Sequence, residues 1–163
     1  MSPLVDALRA EALTAAAFAP YGQVIECAGH ASYAINAGSS QRFSDLAQLE
    51  SDAAGRLALS IFRAAAQALP CRLHTLERHP LGSQAFVPLA GQRFVVVVAE
   101  TADPGTLRAF VSDGRQGVNF RPATWHHPLL AIDAGEFLVA DRIGPGDNCE
   151  VIDLAGRGLS VRC

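Results

Sequence analysis

The chain has 163 residues, half of them hydrophobic and only 18% charged, with a formal net charge of −3. That is long enough for one domain with a real core, spanning 1–163, and too apolar for disorder. It also lacks the basic footprint of a nucleic-acid binder. All thirteen basic residues are arginines, which excludes a Schiff-base lysine. Arginine is thereby left, beside a protonated histidine, as the cation able to grip a carboxylate.

The alanine-rich head, Leu8 to Pro20, predicts a short helix capped by Thr14 and stopped by Pro20 and Gly22. Strands are expected at Gln23–Cys27, Ser32–Asn36 and Arg56–Arg63, with a helix over Ser44–Asp52. Further strands follow at Arg72–His79, Gln84–Leu89, Gln92–Ala99, Leu107–Val111, Val118–Phe120, Thr124–Ile132 and Glu136–Arg142. Pro and Gly punctuate them, as at Pro80-Leu81-Gly82 and Gly144-Pro145-Gly146. About ten short strands at this spacing describe a mainly β protein, a barrel or jelly-roll sandwich with a few short helices. The run Val95 to Val98 is apolar on both faces, so its outer face needs a cover: a second layer, a helix or a second subunit.

No segment is long enough and apolar enough to span a bilayer. The N-terminus lacks the pattern of a signal peptide, and a cytoplasmic location is expected. Cys27, Cys71, Cys149 and Cys163 show no CxxC spacing and read as reduced.

The chemistry concentrates in Glu77 to Gly91, ERHPLGSQAFVPLAG. Glu77 and His79, two apart on a strand, share a face. A turn at Pro80 to Gly82 is expected to return Gln84 beside them as a hairpin. The second cluster is Trp125-His126-His127-Pro128; one of its two imidazoles faces inward, since neighbours on a strand alternate. Glu77, His79, Gln84 and His127 form an N/O donor set suited to a divalent metal. Used for proton transfer instead, Glu77 or His127 takes a proton and His79 or His126 delivers one. Arg42, Arg63, Arg72 and Arg142 are candidate anion holders, Arg63 or Arg42 the clamp for a substrate carboxylate, and Gln84 and Asn36 candidate hydrogen-bonding groups for a substrate. No GxSxG, P-loop or GxGxxG is present.

Glu77-x-His79, four residues, Gln84, six residues, Gly91 keeps the spacing of the first cupin motif, with Glu for the first His and Gln for the Glu. Pro122-x-Thr124-x-x-His127 echoes the second, its Gly replaced. More specifically, the segments LTAAAFAPYGQVIE, INAGSSQRFSDL, HTLERHPLGSQAFVPLAGQRFVVVVA, TLRAF, GVNFRPATWHHPLL and DRIGPGDNCEV, running from Leu13 to Val151, resemble the ureidoglycolate lyase family. The resemblance implies a cupin-like double-stranded β-helix and a homodimer. It also implies cleavage of ureidoglycolate to glyoxylate and urea in allantoin breakdown, with a divalent metal such as nickel. Rival readings are an amidohydrolase releasing ammonia and carbon dioxide from the same substrate, and a non-catalytic barrel binding a small acid.

Overall fold

Short apolar segments cut by Pro and Gly become, over residues 7–163 described by the computed structural model, a series of strands. In chain order they are β1 (Leu8–Ala12), β2 (Gly22–Ile25), β3 (Tyr33–Ile35), β4 (Ser40–Arg42), β5 (Arg56–Ala64), β6 (Cys71–Arg72), β7 (Thr75–Arg78) and β8 (Gln84–Pro88). There follow β9 (Phe94–Ala99), β10 (Leu107–Val111), β11 (Gly117–Phe120), β12 (Trp125–His126), β13 (Leu130–Ala131), β14 (Gly135–Ile143), β15 (Glu150–Asp153) and β16 (Ser160–Arg162). One helix, α1 (Ala15–Phe18), is capped as expected by Thr14, whose side chain accepts from the Ala17 amide at 3.2 Å. The head residues that precede this cap form β1, held parallel between β10 and β16. Tertiary pairing overrides alanine's helical preference there. The helix expected over Ser44–Asp52 is absent, and Ser51 forms a bridge to Gly82.

Two sheets face each other in a cupin-like, mainly β arrangement. One has the order β2-β11-β8-β14-β5. The other runs β15-β7-β12-β9-β10-β1-β16-β6, with β13 also on β9. Phe86, Phe94, Phe110, Phe120 and Phe137 fill the space between them. The valine run of β9 is buried on both faces, as its composition demands. Val96 and Val98 join that central core, while Val95 and Val97 pack outward under Leu73, Leu76, Leu154 and Val161. Its cover is therefore the chain's own segments, one before β9 in sequence and others after it.

The turn at Pro80–Gly82 does not make a hairpin. β7 pairs with β12 and β15, whereas β8 pairs with β11 and β14. The chain turns a corner from one sheet to the other, and Glu77 and Gln84 face each other across the interior. The corner is tight: a Cβ on Gly82 would lie 2.5 Å from that of Arg142. Asp52 N donates to Leu81 O, Ser83 N to Glu50 O, and Glu50 N to Ser83 Oγ, so the 50–52 segment is fastened to this corner. Arg142, almost fully buried, locks the same region by a two-pronged contact with Asp52 and a hydrogen bond to Pro145 O. It is not available as an anion clamp.

Candidate active site

Cross-strand pairing sets the site. Register places His126 opposite Glu77, and directly opposed residues share a face. Thr124–Ile132 is not one continuous strand; β12 ends at His126 and pairing resumes at Leu130. The imidazole meeting Glu77 is therefore that of His126, and His127, read as the metal ligand, stands outside the cluster. Its Nδ1 lies 2.8 Å from Pro128 O, and its ring lines an apolar pocket with Phe86, Phe120 and Leu129. Burial there holds its pKa below the ordinary value.

One oxygen of Glu77, Oε1, lies 3.5 Å from His126 Nε2 and 3.7 Å from His79 Nε2. The candidate ligand atoms of Glu77, His79 and His126 all fall within 4.8 Å of one another. The ring of His126 is stacked on Phe120, with centroids 4.2 Å apart and planes within 7°, which fixes its tilt. Gln84, on the opposite sheet, brings Oε1 to 3.1 Å from His126 Nε2.

The hydrogen bonds behind these atoms decide what they are. His79 Nδ1 lies 2.7 Å from Asn148 O, and His126 Nδ1 lies 2.9 Å from Thr124 O. A carbonyl only accepts, so each Nδ1 carries a hydrogen and each neutral ring turns the lone pair of Nε2 into the site. Gln84 Nε2 donates to Asp141 Oδ2 at 3.2 Å, which turns the amide oxygen inward. Four acceptors thus converge with no donor between them, and His79 Nε2 is buried without a hydrogen-bond partner. Such a set is satisfied by a proton or by a cation. Two imidazoles, a carboxylate and an amide oxygen fit a divalent metal ion, and the backbone acceptors behind the rings are the outer support such a site uses.

In the metal-free protein protons take the place of an ion between these groups, and the electrostatics describe that state. Contacts with His126 and then His79 outweigh burial and hold the Glu77 carboxyl at a pKa of about 2, against an ordinary 4.5. For His79, burial pulls downward, but the Glu77 carboxylate and the Asn148 carbonyl prevail and the pKa is raised. A depressed carboxyl contributes stability above its unfolded value that disappears as pH falls through the folded one. The metal-free protein should therefore lose stability to urea between pH 4.5 and about 2, and Glu77→Gln should flatten part of that loss. The raised His79 contributes in the opposite sense, fully below its ordinary value of 6.5 and fading as pH rises past it.

The other candidates lie elsewhere. Arg63 is an exposed strand residue paired with Glu136 at 3.2 Å. Its partner in register is Glu136, whereas that of Asp141 is Ala58, five residues along β5, or about 17 Å. Arg63 therefore does not reach the site of its own chain. Asn36 and Arg42 are exposed on the β3–β4 hairpin. Two residues stand behind the cluster: Asp141, which its place beside Arg142 already marks as an outer support, and Asn148, which the sequence does not single out. The signal for Asn148 is the Gly144-Pro145-Gly146 turn, which folds the following loop back over the corner, where Asn148 Oδ1 accepts from Leu81 N at 2.7 Å.

Comparison with known proteins matches these features to one family. The model for ureidoglycolate lyase matches residues 5–161. A ureidoglycolate lyase of Pseudomonas aeruginosa is 50% identical over 148 residues, 88% of each chain. That of Azotobacter vinelandii is 50% identical over 88% of this chain and 89% of its own. That of Burkholderia cepacia is 48% identical over 90% of this chain and 86% of its own. The chain belongs to the ureidoglycolate lyase family.

Proposed function

We propose that this protein cleaves ureidoglycolate to glyoxylate and urea, and that it does so at Glu77, His79, His126 and Gln84. The observation that carries the reading is the meeting of four acceptor atoms at one point in a chain of this family. The substrate carbon bears a carboxylate, a hydroxyl and a ureido nitrogen. Its collapse moves the hydroxyl proton to the departing nitrogen, with no redox step and no attacking water. A divalent ion held by these donors, nickel being the first to test, would polarise the hydroxyl oxygen and lower its pKa.

The two oxygens of Glu77 are differently placed. Oε1 faces both imidazoles, while Oε2 is turned toward Cys149, with Sγ at 4.0 Å. Oε2 accepts the hydroxyl proton and returns it to the ureido nitrogen, so one carboxylate serves both halves of the transfer. His79 and His126 would hold the ion, and Gln84, oriented by Asp141, faces the same point. The exposed Leu59 and Ile61 on the edge strand β5 support assembly as a homodimer.

The test is a purified-protein assay reading urea, glyoxylate and ammonia, before and after dialysis against a chelator. Urea and glyoxylate in equal amounts, lost on chelation and restored by a divalent ion, are expected. Stoichiometric ammonia without urea would establish the amidohydrolase instead, and saturable acid binding without turnover a binding protein.

A further inference from the structure

The β3–β4 hairpin is an arm with no visible purpose within its own chain. Its strands pair only with each other. Every residue from Cys27 to Arg42 except Ile35 is exposed. Among the described residues its turn bonds are internal, such as Ser39 N and Oγ to Asn36 O. A lone two-stranded hairpin is marginal in water, and this one turns through left-handed Asn36 and Ala37 without glycine at either.

The site, conversely, lacks a group its substrate demands. Glu77 and Asp141 make it acidic, and the nearby guanidinium groups are engaged: Arg142 on Asp52, Arg78 on Glu150 and over Trp125. Among the described residues, neither of these guanidinium groups is free to face a substrate carboxylate. Arg42, at the base of the arm, has no acidic partner among the described residues.

Strand register joins the two observations. Asn119, Ala85, Ala140 and Leu59 lie in one row across the sheet, so they share its outer face. Asn119 Nδ2 donates to Gln48 O, six residues beyond Arg42 on the segment that follows the arm, and Leu59 is 70% exposed with Ile61 two residues on at 51%. The segment that follows the arm thus lies on the same face that presents unpaired aliphatic side chains beside a free strand edge. Isologous pairing of that face covers the aliphatics and carries each arm onto its neighbour.

We propose that the Tyr33–Arg42 arm crosses to a second copy of the chain and sets the Arg42 guanidinium at that copy's site, where it binds the substrate carboxylate. This rests on the ureidoglycolate reading above. Two variants test it, Arg42→Ala and the doubly disabled Glu77→Gln/His79→Ala, co-expressed with different affinity tags so that the mixed dimer is isolated. Each parent dimer should be nearly inactive, Arg42→Ala chiefly through a rise in KM of tenfold or more. The mixed dimer has one site with both an intact cluster and an intact arm, and should recover about half the wild-type activity. No recovery, a monomeric protein by sedimentation at assay concentration, or unaltered kinetics in Arg42→Ala would each overturn the proposal. A wild-type protein that releases no urea would overturn the function itself, a separate outcome.

Discussion

Replacing Glu77 by Gln should lower turnover about a hundredfold or more while leaving the circular dichroism spectrum close to wild type, and should lower the neutral-pH melting temperature, because the stability that the depressed carboxyl contributes above pH 4.5 is lost with it. The substitution keeps the shape of the side chain and removes its charge and its capacity to carry a proton. A positioned acid or base is worth ~10²–10⁴-fold. Because Oε1 lies between His79 and His126, the same change should weaken divalent-ion binding, measurable by calorimetry on chelator-treated protein. A fall in affinity with turnover preserved at saturating ion would assign Glu77 to holding the ion alone. Near-normal values of both would remove it from the mechanism.

The largest effect on stability is expected for Phe137→Ala. Phe137 is fully buried on β14 and meets Phe94 edge-to-face at 5.4 Å. It links the five-stranded sheet to the sheet opposite. Deleting a buried Phe side chain costs about 3–5 kcal/mol, the lost transfer energy plus the cavity left behind. At a denaturant slope of about 2 kcal/mol/M, the urea midpoint should fall by about 2 M. That would be a large part of the ~5–15 kcal/mol that holds a domain of this kind together. A shift below about 0.5 M would mean that the two sheets are held elsewhere.

How far the chain's own order foretells its structure depends on what each residue's role requires. The fate of Val95 to Val98 is readable because a strand apolar on both faces admits one environment. Thr14 is readable as a cap because capping is local. The corner at Pro80–Gly82 is not, because a tight turn between two strands has the same composition whether they pair with each other or part into different sheets. The histidine pair shows how a small error propagates: moving the inward position by one residue exchanges faces, and the ladder breaks after His126 just ahead of Pro128, which has no N–H to donate. Arg63 closes an apolar strand, yet β5 is a sheet edge and its end is wet, so the charge needs only Glu136. Asp141 and Asn148 are near Gln84 and His79 in space alone, separated from them by 57 and 69 positions.

The corner that separates Glu77 from Gln84 has one more result. Neighbouring strands in a hairpin are held about 4.8 Å apart by their peptide groups, so donors mounted on one have a fixed span. Here one donor stands on each wall of a sandwich, and the span follows the thickness of the filling. The phenyl rings packed edge-to-face between the walls therefore act as a spacer that would gauge the radius of an ion, and trimming them, even far from the imidazoles, would re-tune which element fits.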